Sequence, residues 1–81
     1  MKTFRLTVAK VGENLFDGAV TSASLPGSEG MFQILAGHEA CVAELENGAT
    51  RVVSEDEEPH RFEISRGGIA EVSFNQVTVL L

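Results

Sequence analysis

Leu25-Pro26-Gly27-Ser28-Glu29-Gly30-Met31-Phe32-Gln33-Ile34-Leu35-Ala36-Gly37-His38 sets one proline and three glycines around a short apolar run. Pro26 has a fixed φ and Gly27 tolerates a positive one, so Pro26-Gly27 predicts a tight turn. Ser28, Glu29 and Gly30 extend it into an exposed loop. Phe32, Ile34 and Leu35 then predict a short, mostly buried strand, which Gly37 breaks just before His38.

Outward from this stretch the chain keeps the same character. On the N-terminal side, Phe4, Leu6 and Val8 alternate with Thr3, Arg5 and Thr7, the period of a half-buried strand. Gly12-Glu13-Asn14 and Asp17-Gly18 predict turns around Leu15 and Phe16. Ala19 to Leu25 is expected to be one further strand. On the C-terminal side, His38 to Gly48 is ambiguous. Cys41, Val42 and Leu45 share one helical face and Gly48 would serve as a C-terminal cap, so local pattern favours a helix. Asn47-Gly48 equally signals a hairpin between two strands. Arg51-Val52-Val53 opens another strand, and Ser54-Glu55-Asp56-Glu57-Glu58-Pro59 is too charged to bury and predicts a solvated hairpin loop. Phe62 and Ile64 face inward, Gly67-Gly68 marks a turn or bulge, and Ala70, Val72 and Phe74 face inward. Asn75-Gln76 is expected to turn the chain into Val77 to Leu81. Short strands with frequent turns indicate an all-β sandwich or barrel, with antiparallel pairing because no connection is long enough for a crossover helix.

Composition narrows the function. Eighty-one residues are expected to form a single domain, 1–81, with a modest core. Twelve acidic against six basic residues give a net charge of −6, which disfavours nucleic acid and anionic lipid as partners. No apolar run approaches the ~20 residues of a spanning helix, and Met1-Lys2-Thr3 does not lead into a signal-peptide core, so a cytosolic location without direct membrane insertion is expected. The single cysteine, Cys41, excludes an internal disulfide and a cysteine-based zinc site. Without a nearby Lys or Arg it is expected to be a small buried apolar residue.

The remaining side chains assemble no catalytic constellation. Gly27-Ser28-Glu29-Gly30 lacks the lysine and the following helix of a phosphate loop, so it is a surface turn. His38 and His60 are too few and too far apart for a metal site. His38, beside a glycine break, is expected to be a hydrogen-bonded structural or interface residue, and His60 to lie on a solvated face. The expected chain has no cofactor, no metal and no catalytic residue.

Four segments in order, the central turn and its strand counted as one, carry a resemblance. Leu25-Pro26-Gly27-Ser28-Glu29-Gly30 and Phe32-Gln33-Ile34-Leu35-Ala36-Gly37-His38 resemble the turn and strand of the epsilon subunit of rotary F-type ATP synthases, in its N-terminal β-sandwich domain. Phe16-Asp17-Gly18-Ala19-Val20 precedes them. Phe62-x-Ile64-Ser65-x-Gly67-Gly68-Ile69-x-Glu71-Val72 and Asn75-x-Val77-Thr78-Val79-Leu80 follow. The resemblance implies a flattened sandwich of two small antiparallel sheets with about ten short strands. It also implies that His38 to Gly48 is a strand. In function it implies a non-catalytic rotor subunit that links the gamma subunit to the ring of membrane c subunits, on the cytoplasmic face of the inner (plasma) membrane. Carried onto this chain, Ser28, Glu29, Gly30 and Met31 would face the c-ring, and His38, Glu39, Ala40, Cys41 and Val42 would face gamma. Gln33 replaces a usual glycine, Ala36 and Ala40 replace usual prolines, and Met31 replaces a frequent acid. Most family members continue into a C-terminal helical hairpin that carries inhibition, so a chain ending at Leu81 is expected to couple constitutively, to bind no ATP and not to brake hydrolysis. The alternative, from another functional class, is a free-standing β-sandwich adaptor for some other protein. The rotor subunit would be found on membranes with other synthase subunits, and the adaptor would not.

Overall fold

A computed structural model describes residues 2–55 and 58–81. Alternating apolar and polar residues put nine strands into it: β1 Phe4–Lys10, β2 Glu13–Val20, β3 Ser22–Gly27, β4 Gly30–Leu35, β5 Cys41–Leu45, β6 Gly48–Val53, β7 His60–Ile64, β8 Gly68–Ser73 and β9 Gln76–Leu80. No helix occurs among the described residues, so the helical pattern of His38 to Gly48 yields to a strand. The strands join in the order β2-β1-β9-β8-β5-β3-β6-β7, with β4 on the other edge of β3. This is one curled sheet whose two halves, β2-β1-β9-β8-β5 and β4-β3-β6-β7, form the layers. They meet where Gly27 pairs with Leu45.

The core lies inside the curl. Leu6, Val8, Val20, Ala23, Leu25, Val52, Ala70 and Val79 are fully buried, joined by Phe4, Ile34, Leu45, Ile64, Val72 and Val77. Each buried Leu, Ile or Val contributes roughly 1.5–3 kcal/mol of burial free energy. Phe16, Phe32, Phe62 and Leu81 close the core from the half-buried positions around it. The inward faces expected for Phe4, Leu6, Val8, Ile34, Ile64, Val72 and Val79 are the ones found.

Several local signals are overridden. β1 and β9 pair in parallel, Arg5 opposite Gln76 through Ala9 opposite Leu80. The antiparallel expectation considered only consecutive strands, whereas these two are joined by the whole intervening chain. Asp17-Gly18 is not a turn but the middle of β2, opposite Leu6 and Thr7. The Asp17 carboxylate is held there by the Arg5 guanidinium at 2.8 Å and accepts from the Thr7 hydroxyl at 3.3 Å. The kink falls instead at Leu15, an extra residue between the Val8–Phe16 and Ala9–Asn14 pairs, which makes a β-bulge. Ala19 to Leu25 is two strands cornered at Thr21, whose N–H and hydroxyl both donate to the Val53 carbonyl at 2.8 and 3.0 Å. Asn47-Gly48 closes no hairpin. β5 pairs with β8 and β6 with β7, so the chain crosses between layers here. Phe74 is 83% exposed, because the hairpin turns at Phe74-Asn75 and Asn75 takes a left-handed φ of 53°. Of the acidic loop between β6 and β7, Asp56 and Glu57 lie outside the described residues.

Candidate functional site: an exposed turn and its groove

Pro26 and Gly27 are buried within β3, and the turn comes two residues later than expected, at Ser28-Glu29. Gly27 is needed for room rather than for a positive φ, since a Cβ there would lie 2.8 Å from the Gly30 carbonyl and 2.9 Å from the Phe32 ring. Pro26 donates no N–H, but its carbonyl accepts from Glu46 N at 2.8 Å, while Ser28 N donates to Glu44 O at 3.0 Å. These two bonds fasten the base of the turn to the end of β5. The loop then projects Ser28, Glu29, Gly30 and Met31 into solvent, with Met31 63% exposed.

The same fastening builds a groove of about 660 Å³, lined by Gly27 to Phe32 on one side and Val42, Ala43 and Glu44 on the other. Val42 is 70% exposed. The structure thus brings Val42, expected on the gamma side, beside the whole set expected on the c-ring side. It separates His38 to Cys41, which lie at the far end of β5, where Cys41 pairs with Val72 next to the β8–β9 turn. Glu44 and Phe32 were not among the expected site residues. The alternation of Val42 and Glu44 along one face of a strand is the sequence signal for the first of them.

His38 is half-buried at the break after β4. Its N–H donates to Leu35 O at 3.2 Å, and its ring Nδ1 lies 2.7 Å from Glu39 O. A carbonyl only accepts, so Nδ1 carries the proton in this bond. This matches the hydrogen-bonded role expected of it. Cys41 is exposed, not buried as expected, because it opens β5 at the end of the sheet. The His60 ring packs edge-on against Phe16, with centroids 5.4 Å apart, and so links edge strands β2 and β7. Among the described residues no group of three His, Cys, Asp or Glu could hold a metal ion. None of the described helices, there being none, is long and apolar enough to cross a membrane. The arrangement offers shape, apolar contact and carboxylates, which suits binding to protein.

A curled, mostly antiparallel sheet with a projecting, groove-flanked turn defines a small β-sandwich binding domain. Residues 3–81 match the family described as ATP synthase, Delta/Epsilon chain, beta-sandwich domain, and the chain belongs to that family. The ATP synthase epsilon chain of Chlorobium limicola is 38% identical over 79 residues, covering 98% of this chain and 89% of the relative. That of Chlorobaculum tepidum is 35% identical with the same coverage. Among solved structures, a chain of the Euglena gracilis mitochondrial ATP synthase (OSCP/F1/c-ring, rotational state 1) superposes with a TM-score of 0.88 at 29% identity, over 96% of this chain. This chain spans 49% of that one. A chain of the Tetrahymena thermophila mitochondrial ATP synthase central stalk and c-ring gives a TM-score of 0.76 at 17% identity, over 94% of this chain and 60% of its own length, which is a likeness of fold.

Proposed function

We propose that this chain is a non-catalytic subunit of the central stalk of an F-type ATP synthase. It links the gamma subunit to the c-ring, so that ion translocation through the membrane sector is coupled to ATP synthesis. The observation that carries this reading is the 38% identity to an ATP synthase epsilon chain across 98% of this chain. The site supports it in kind. A subunit that transmits torque needs two contact surfaces on a stiff body, and it needs no acid, base or nucleophile. The Ser28-Glu29 turn, anchored to β5 by two backbone hydrogen bonds, is a short, stiff projection of the sort that can grip a rotating ring. In this reading Ser28, Glu29, Gly30 and Met31 meet the loops of the c-ring. His38, Glu39, Ala40, Cys41 and Val42 meet gamma. The subunit sits at the cytoplasmic face of the inner (plasma) membrane as a peripheral part of the complex.

The test is assembly. Membranes stripped of this subunit are rebuilt with or without the chain, and ATP-driven ion pumping is followed. Restored pumping, together with recovery of gamma and c subunits on the tagged chain, is the expected result. A chain that stays free of both and leaves pumping unrestored would overturn the reading.

A further inference from the structure

Among the described residues β2, β7 and β4 each have one side with no neighbouring strand. Two of these edges are guarded. β2 carries the bulge at Leu15 together with Glu13 and Asp17, and its Phe16 ring meets His60 of β7. β7 itself carries Arg61 and Glu63. Charges and bulges of this kind keep an edge from pairing with another chain. β4 has none of them. Gly30-Met31-Phe32-Gln33-Ile34-Leu35 contains no charge and no proline, and it follows β3 in unbroken register. The direction of its free backbone groups is fixed by β3. The Pro26 carbonyl turns away from β4 to accept from Glu46 N. Met31 stands opposite Pro26, so its N–H and C=O also point away from the shared ladder. Alternation gives Gln33 and Leu35 the same direction. The side chains of these three share the outer face, with Met31 63% and Leu35 53% exposed and Gln33 exposed between them.

We propose that, outside the synthase, two copies of this chain form a two-fold dimer by antiparallel pairing of β4 with β4, centred on Gln33. In that register Gln33 faces its own counterpart and Met31 faces the copy's Leu35, and each facing pair exchanges N–H···O=C bonds. The Leu35 carbonyl, which accepts from His38 N at 3.2 Å, has a second lone pair for the copy's Met31 N–H. The two Gln33 side chains exchange amide hydrogen bonds across the axis, and each Met31 packs on a Leu35. Chains of net charge −6 repel one another, and the uncharged edge lets them meet where no carboxylate faces another. At the ends of the pairing Glu29 comes opposite the copy's Gly37, beside His38, rather than opposite a second Glu29. A foreign strand could take the backbone bonds, but only a second copy supplies the Met31, Gln33 and Leu35 matches together. The pairing uses one edge of each copy, so it closes at the dimer. One short strand per copy makes a small interface, with an expected Kd of roughly 0.1 mM. Met31 is also assigned to the c-ring contact, so pairing and assembly exclude each other. That exclusion depends on the rotor function, whereas the pairing does not.

Sedimentation velocity of the 81-residue chain, from about 10 µM to about 1 mM, brackets that constant. A concentration-dependent passage from monomer to dimer is expected. Gln33→Lys and Gln33→Glu each set like charges face to face on the axis, and each is expected to weaken pairing at least about tenfold. An equimolar mixture of the two sets Lys against Glu and is expected to restore the dimer. Far-UV circular dichroism checks that both variants, altered at an exposed position, keep the fold. A chain that stays monomeric at 1 mM, oligomers larger than the dimer, a dimer insensitive to both single substitutions, or a mixture that pairs no better than its parts would each overturn the proposal. Pumping in rebuilt membranes reads the rotor function separately. A chain that restores pumping yet never dimerises sinks the dimer and leaves the rotor reading standing, and one that pairs through Gln33 but never joins gamma and the c-ring does the reverse.

Discussion

Thr50 is the clearest place to test the packing. It is fully buried on the inner face of β6, opposite Phe62 of β7. Its hydroxyl is without a hydrogen-bond partner among the described residues. Burying a hydroxyl unpaired costs about 1–3 kcal/mol on mutational scales. Thr50→Val keeps the shape and the β-branch, removes that cost and adds a buried methyl. We expect a gain of about 1–2 kcal/mol, where each 1 kcal/mol raises Tm by about 4–8 °C in a domain this small. Thr21 is the opposite case, because its hydroxyl donates to Val53 O at 3.0 Å. Thr21→Val loses that bond and costs about 0.5–1.5 kcal/mol. The chain has no Trp or Tyr, so urea unfolding is followed by far-UV circular dichroism. The two variants must move the midpoint in opposite directions with an unchanged slope. A loss of stability in Thr50→Val would mean that the hydroxyl is satisfied, and the argument from its burial would be refuted.

Leu6→Ala, deep between β2 and β9, is expected to cost about 2–5 kcal/mol, whereas Phe74→Ser at the exposed β8–β9 turn stays within about 0.5 kcal/mol, both read from urea midpoints. Phe62→Ala costs about 2–3 kcal/mol, less than a fully buried phenylalanine would, because the ring is half-buried. Gly68→Ala puts a Cβ 2.6 Å from the Leu80 carbonyl and should lower Tm by at least about 5 °C; an unchanged Tm would remove the close approach of β8 and β9 from the account. Met31→Asp, on the projecting turn, is expected to weaken attachment to the c-ring and so to reduce ATP-driven pumping in rebuilt membranes. Undiminished pumping would take Met31 out of the contact.

The strands that were legible in the sequence are those whose alternation has one dry and one wet face. β1, β7 and β8 are of this kind, with Leu6, Ile64 and Val72 pointing in. The β5 segment was not legible from pattern alone. It has five residues, too few for a period of two to compete with the helical spacing of Cys41, Val42 and Leu45, and the resemblance supplied the strand. Asp17-Gly18 and Asn47-Gly48 misled because turn propensity is local, whereas their fates were decided by partners far along the chain. For Asp17 those partners were Arg5 and Thr7. For Asn47-Gly48 they were the strands of the opposite layer. Cys41 and Phe74 were misplaced for a related reason. Alternation predicts which face a residue takes but not that the strand starts or stops at it. Within the candidate site, the projecting turn could be foreseen from Ser28, Glu29 and Gly30. Its union with Val42 and Glu44 could not, because it depends on where β5 meets β3.

The parallel pairing of β1 with β9 has a consequence for how the protein comes into being. Arg5 and Gln76 are roughly 70 residues apart in sequence, yet they are neighbours in the sheet, so the fold has high contact order and closes slowly. During synthesis β1 and β2 can form their hairpin early, but Leu6 and Val8 lack the flanking strand that completes their cover until β9 has left the ribosome. Growth of the chain cannot therefore deliver the fold piece by piece. The nascent chain carries an unfinished sheet edge beside β1, a site for aggregation or chaperone capture, until β9 arrives and pairs with it.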